Sequence, residues 1–432
     1  MAGIFKYPGY ARFWAADAVS TFGSCITTVA LSVLAVVTLH ASNVQVGLLN
    51  AARWTPYLLF GLLAGVIADR CRRRPVLVAT DLARGALLAT VAILAATHLL
   101  NIYELAAFMA VFGVLSLLYE ASHQSYLPRL VPPAGLTSAN ARLQQTSALA
   151  QTTGPALGGT LVTTLGAPLG MALDAVSYLA SGATLASIRR PEPRPDAEAR
   201  NLRAELREGL TYVYRHPVLR SAALTLHARF LFASIISTTF TLFVLRDPAL
   251  GHGSKGAGFG LGVTLAVGGV GALVGNTLAG RLGHVPAGRL MVGERLAEPF
   301  AWTLAPLAVS GPAGWAMVAG AQFLVWVALG TSGPSEMAYR QSITPDRLQG
   351  RVNATIRSLN WGMFTLGAPV GGLLSTELGY RATLWLAIAG MAASAVVATL
   401  SPMRTARVAE DGAAGAAVEP VSPPVPAAPP QR

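Results

Sequence analysis

Apolar stretches of about 20 residues, broken by few charged side chains, recur from Ala15 to Leu400. A helix rises 1.5 Å per residue, so each stretch can cross a hydrocarbon layer of ~30 Å. Twelve are counted: 13–39, 45–68, 75–98, 103–121, 138–165 and 169–188, then 220–245, 257–280, 287–309, 314–338, 350–376 and 381–401. The pattern predicts an all-α membrane protein of twelve transmembrane helices.

Two of these stretches are copies of one another. The fifth carries Asn140, Gln144, Ser147, Gln151, Gly154 and Gly158, and a shift of 213 gives Asn353, Arg357, Asn360, Phe364, Gly367 and Gly371 in the eleventh. Steps of three and four residues place each series on one helical face. Gly159 and Gly166 recur as Gly372 and Gly379, and PAGL at 133–136 is echoed by PDRL at 345–348. Each copy holds an even number of stretches, so the two six-helix halves keep the same orientation and are related by a pseudo-twofold. The expected domains are an N-terminal half 1–188, a linker 189–217, a C-terminal half 218–404 and a disordered Ala/Pro-rich tail 405–432. Within the linker PEPRP reads as extended, and residues 199–216 read as a short basic amphipathic helix.

Composition agrees: 53% of residues are apolar and 12% charged, and the net charge is +12. That charge does not point to nucleic acid, because the basic residues gather in every second connection instead of in one patch. Arg70, Arg72, Arg73 and Arg74, then Arg129, the cluster from Arg189 to Arg220, Arg281, Arg347 with Arg351, and Arg404 with Arg407 follow even-numbered stretches. By the positive-inside bias this predicts a multi-pass protein of the cell (plasma) membrane with both termini cytoplasmic. Arg246, Lys255 and Arg381 break the alternation. The first stretch is too long for a cleaved leader. Cys25 and Cys71 lie at different depths and offer neither a bridge nor a metal site.

Asp17 heads a polar stripe of Ser20, Thr21, Ser24 and Thr28 in the first stretch, and His227, Ser234, Thr238 and Thr241 form another in the seventh. Both are expected to line a cavity, together with Arg53, Gln144, Ser147, Arg357 and Asn360; helix packing through backbone-bonded hydroxyls is the competing reading. An ionised carboxylate at membrane depth costs at least ~2.5–3.5 kcal/mol, so it needs water, a partner or a proton. Asp17 and then Glu120 are the proton-coupling candidates, against a fixed salt bridge to Arg53 or Arg142. Asp81 and Arg84, three residues apart, are expected to pair with each other.

The segment GLLAGVIADRCRRRP resembles the signature loop of the major facilitator superfamily through Gly65, Asp69, Arg70, Arg73 and Arg74, although Arg72 stands where that loop usually has a second Gly. The likeness runs from Phe5 to Pro402 and is closest to the drug/proton antiporter subgroup with macrolide-efflux and enterobactin-exporter type proteins. Carrying it are VGLLNAARWTPYLLFGLLAGVIADR, LPRLVPPAGLTSANA, DAVSYLAS, YVYRHPVLR and TPDRLQGRVNA. GPALGG at 154–159 resembles the antiporter motif, which assigns Gly154, Pro155, Gly158 and Gly159 to a bendable helix. The arginine that many antiporters carry in the fourth helix has no counterpart between Tyr103 and Ser122.

The resemblance implies a secondary transporter that exports a small amphiphilic molecule by proton antiport, with Gly65 to Arg74 as a gating loop. A lipid flippase or a nutrient importer on the same fold is the alternative. No phosphate-cradling G-x-x-x-x-G-K-[ST] loop, G-x-S-x-G or H-E-x-x-H occurs, so neither an ATP-driven pump nor an enzyme is expected. The expected partners are substrate, protons and membrane lipids, with no cofactor, metal or nucleic acid, and the expected working unit is a monomer.

Overall fold

The computed structural model describes residues 5–407 apart from 190–191, 193–201, 248–249 and 251–255; at 62–70, 134, 137, 202–206, 257 and 346–347 it describes the backbone alone. Thirteen α-helices are present among them. The N-terminal half holds α1 (Tyr10–Val33, prolonged by a π-helical turn over Leu34–Thr38), α2 (Asn43–Arg70), α3 (Arg73–Ala96), α4 (Ile102–Leu130), α5 (Pro133–Leu165) and α6 (Ala167–Ala186). After a connecting α7 (Leu202–Arg215), the C-terminal half holds α8 (Pro217–Arg246), α9 (Ala257–Arg281), α10 (Ala287–Trp302), α11 (Pro312–Ile343), α12 (Asp346–Glu377) and α13 (Tyr380–Leu400). Eight helices are long and apolar enough to cross a membrane on those grounds alone; α5 and α12, which carry the repeated polar stripe, are not among them.

Within each half the partners correspond. Helix α1 packs on α5 and α6, as α8 packs on α12 and α13; α3 lies on α4 and α6, as α10 lies on α11 and α13. The halves meet where α2 crosses α12 and α5 crosses α9. The repeated glycine pair explains how both sets of contacts are reached. A Cβ on Gly158 would stand 2.9 Å from Ile26 Cα in the same half, whereas one on Gly159 would stand 2.7 Å from the Gly258 carbonyl oxygen in the other half. The copies behave alike: Gly371 meets Ile235 of its own half and Gly372 meets the Asn43 carbonyl oxygen across the interface at 2.3 Å. Gly166 and Gly379 open α6 and α13 with φ of +87° and +79°, a conformation that disfavours any side chain.

The start of α1, the end of α13 and most of the arginines share one end of the bundle, the basic end. At the far end one apolar cluster runs through both halves, from Val29 and Leu34 to Phe243 and Leu245. At the basic end the clusters separate, with Tyr10, Phe13 and Tyr126 in one half and Met291, Tyr339 and Ile343 in the other. The far end is closed and the basic end is parted.

The two arginines that break the alternation of charge sit at the far end and cap carbonyls. Arg246 donates to Asn43 Oδ1 at 2.7 Å and to the Ala41 carbonyl at 2.5 Å, tying α8 to the α1–α2 turn. Arg381 donates to the carbonyls of Pro306 and Ala308 at 2.9 and 2.8 Å. This second contact accounts for a shorter ninth span than the apolar stretch 287–309 predicts. Helix α10 stops at Trp302, and hydrogen-bonded turns continue to Ala308. Lys255 and the tail beyond residue 407 lie outside the described residues.

Helices α4, α5, α11 and α12 run past their apolar stretches at the basic end, where polar side chains continue the helix beyond hydrocarbon. Helix α7 docks there on α12 and α8: Val213 is buried, Tyr212 Oη donates to the Ile343 carbonyl, and Gly209 lies against Arg351 and Thr355. The linker is also fixed at its start, because Glu192 accepts from the backbone N–H groups of Arg73 and Arg74 at 2.8 and 3.1 Å. A carboxylate on the first turn of α3 meets its unpaired donors and the positive end of its dipole.

Candidate functional site

A cavity of about 630 Å³ lies in the basic-end portion of the C-terminal half, with Gln124 of the N-terminal half completing its lining. Its wall takes Gln124 from α4, Phe230 from α8, Met337 and Arg340 from α11, and Arg357, Asn360 and Trp361 from α12. Towards the far end Trp361 stacks on Trp54 of α2, ring centres 3.9 Å apart and planes 5° from parallel. Phe230 meets Trp361 edge-on at 5.7 Å. Arg53 lies behind, over Trp54 and Phe112 at 5.3 and 5.8 Å, with no carboxylate partner among the described residues. The wall thus combines aromatic faces with basic and amide side chains.

Of the residues expected to line a cavity, Arg357 and Asn360 do so. His227 is one contact behind, its Nδ1 at 2.7 Å from Asn360 Oδ1 and its Nε2 at 2.8 Å from Tyr214 Oη. The rest of the α8 stripe is used for packing: Ser234 donates to the Phe364 carbonyl at 2.5 Å and Thr238 Oγ1 accepts from Asn50 at 3.4 Å. The hydroxyls of the α1 stripe bond mainly to their own helix, and only Ser20 among them is buried. Ser20, Ser24 and Thr28 donate to backbone carbonyls of their own helix, and Ser24 shares a 2.8 Å hydrogen bond with Tyr178 of α6. These hydroxyls and Thr21 are not on the cavity wall, and neither are Gln144 and Ser147 of α5. Serine and threonine at helical spacing satisfy themselves on the preceding turn, so their spacing does not identify a wetted face.

Asp17 lies in the N-terminal half with His123 of α4, Oδ1 to Nε2 3.0 Å, off the line of a good hydrogen bond. Phe13 and Tyr119 stack on the imidazole at 4.6 and 5.5 Å. The partner is therefore neither Arg53 nor Arg142. Glu120, three residues before His123, accepts from Tyr57 at 2.7 Å. Asp81 and Arg84 do pair, with Ser181 donating to the second carboxylate oxygen at 2.6 Å and the guanidinium held between the rings of Tyr119 and Tyr178.

The C-terminal half holds a buried chain of alternating charge. Arg229 donates to both oxygens of Glu298 and stands 3.2 Å from Glu294; Arg295 pairs with Glu294 and, at 3.2 Å, with Glu336. Gly65, Asp69 and Arg70 fall where only the backbone is described, as the last turns of α2. Arg73 ion-pairs with Glu192 at 3.6 Å, and Arg74 donates to the carbonyls of Leu185 and Ala186, so both are fastened to the start of the linker and the end of α6. Gly154 packs on Cys25, and the carbonyl of Pro155 would meet a Cβ on Gly262 at 2.3 Å.

The family described as transmembrane secretion effectors matches residues 4–423 of the sequence. This chain is a member of that family, within the major facilitator superfamily. The MFS-type transporter y4rN of Sinorhizobium fredii is 28% identical over 388 residues, 87% of this chain and 90% of that protein. The multidrug efflux pump Tap of Mycolicibacterium fortuitum is 26% identical over 396 residues, 88% of this chain and 92% of the pump. Among solved structures, the nucleoside transporter NupG aligns with a TM-score of 0.72 at 11% identity over 91% of this chain and 98% of its own. A bacterial homologue of the iron transporter ferroportin, in an inward-facing state, aligns with a TM-score of 0.71 at 16% identity over 91% and 98%. These two likenesses speak for the fold. The chain is a multi-pass membrane transporter of twelve spanning helices in two halves.

Proposed function

We propose that this transporter exports a small amphiphilic molecule from the cytoplasm in exchange for protons, by alternating access. One observation supports the reading most: a cavity lined by the C-terminal half and by Gln124 of the N-terminal half lies at the basic end, while the far end is shut by glycine-tight crossings of α5 on α9 and α2 on α12. Arginine-rich connections face the cytoplasm under the positive-inside bias, so on this reading the cavity opens inward, both termini are cytoplasmic and the membrane is the plasma membrane. The likeness to a multidrug efflux pump, and a family described by secretion, favour export. One chain is the working unit.

Asp17 is the proposed proton carrier, with Glu120 second. His123 beside Asp17 offers the proton an alternative seat, and the charge of the pair changes when it leaves. Residues Gly65 to Arg74 form the proposed gate, Asp69 at the end of α2 acting near the fixed anchor that Arg73 and Arg74 make with Glu192 and α6.

Uptake of amphiphilic compounds into everted vesicles under an imposed pH gradient tests the reading. Gradient-driven accumulation is expected; accumulation only in right-side-out vesicles reverses the direction. Asp17→Asn is expected to reduce uptake to the level of vesicles lacking the protein while substrate still binds. Normal uptake by that variant would make Asp17 a packing residue.

A further inference from the structure

We propose that the substrate taken by this cavity carries an anionic group, and that Arg340 and Arg357 receive it. The inference rests on the transport reading above and gives the substrate a charge. The described residues lining the cavity include these two arginines and no carboxylate. Neither guanidinium has an acidic partner among the described residues, and Nε of Arg340 is buried with no hydrogen-bond partner.

The nearby acids are engaged elsewhere. Glu336, which shares the adjoining crevice with Arg340, is bonded to Arg295 at 3.2 Å; Glu120 is held by Tyr57; Glu294 and Glu298 are held by Arg229 and Arg295. A guanidinium withdrawn from water, whether by burial of its Nε as in Arg340 or by lying within a spanning stretch as Arg357 does, normally finds an acid, a carbonyl or water. Two of them on one wall, without acids, make a binding place for a carboxylate, sulfonate or phosphate, which planar guanidinium donors fit well. Trp361, one turn beyond Arg357 on α12, and Phe230 of α8 add aromatic faces for the apolar body. The complementary ligand is therefore an amphiphilic anion, not a lipophilic cation.

The test uses the full chain in phosphatidylcholine nanodiscs and three fluorescent probes with one apolar body: pyrenebutyrate, pyrenebutanol and pyrenebutylammonium. Pyrenebutyrate is expected to bind at least about tenfold more tightly than the ammonium probe, as a charge-assisted contact predicts. Arg340→Gln and Arg357→Gln should each weaken pyrenebutyrate by about tenfold while leaving pyrenebutanol within about twofold, which also shows that the variants are folded. Equal binding of the three probes, or preference for the ammonium, overturns the proposal even if the variants fail to fold. Displacement of pyrenebutyrate by phosphatidylglycerol in the disc upholds the anion site and makes its source a lipid. Tight pyrenebutyrate binding with no movement of any probe in vesicles leaves the charge assignment standing and refutes export.

Discussion

Arg229→Met is expected to lower the thermal unfolding midpoint of the purified transporter by roughly 3–6 °C, because removing one member of a buried ion chain costs about 3–5 kcal/mol and a chain of this length loses about 1 °C per kcal/mol. Arg229 is the only link among the described residues between α8 and the two glutamates of α10, Glu294 and Glu298, both almost wholly buried. Without it Glu298 loses both hydrogen bonds that Arg229 gives it, and Glu294 depends on Arg295, which is shared with Glu336. The penalty is that of stranded charge more than of a lost attraction. Arg229→Met combined with Glu298→Met should therefore regain most of the lost midpoint. A single variant as stable as the parent would show that water or protons neutralise the chain.

Gly262→Val is expected to move the transporter away from the state described here by a factor of roughly 30–100, with little loss of folding. The new side chain would enter the α5–α9 crossing, where its Cβ meets the Pro155 carbonyl oxygen at 2.3 Å and Gly159 Cα at 2.9 Å. Overpacking of this kind costs about 2–3 kcal/mol, and the cost falls only on the state in which the far end is shut, so it becomes a population shift. Spin labels at Thr164 and Phe259, both exposed near this crossing, should show a longer distance in the variant. Gly158→Ala is the control, since its contact is with Ile26 inside one half and should cost stability without separating the labels. Unchanged label distances in Gly262→Val would mean that the crossing stays closed throughout the cycle.

Much of this was legible in the sequence because it depends on local periodicity. A run of apolar residues fixes a span, and the shift from Gly158 and Gly159 to Gly371 and Gly372 reveals the repeat without knowledge of any neighbour. What those glycines touch was not legible: two adjacent residues on one helix serve different halves, and that depends on helix crossings. Asp17 was recognisable as costly, yet its partner His123 was passed over because nothing local marks a histidine on α4 as facing α1. Arg340 was missed for a related reason, since an arginine near a helix end at the basic side reads as a topological marker. Its distinction is the absence of a partner, which only three-dimensional placement shows. The stripes of hydroxyls were open to two readings for the same reason, for self-satisfied serines look the same in sequence as wetted ones.

Glu192 is held on the first turn of α3, and Leu202 begins the helix docked on α12. Ten peptide steps join these anchors, and a chain that long spans at most roughly 33–36 Å. The connection between the halves is thus a leash of fixed length rather than an indifferent tether. While both anchors hold, it puts an upper bound on how far the start of α3 and the docked face of α12 can part, and so on how wide the basic end can gape.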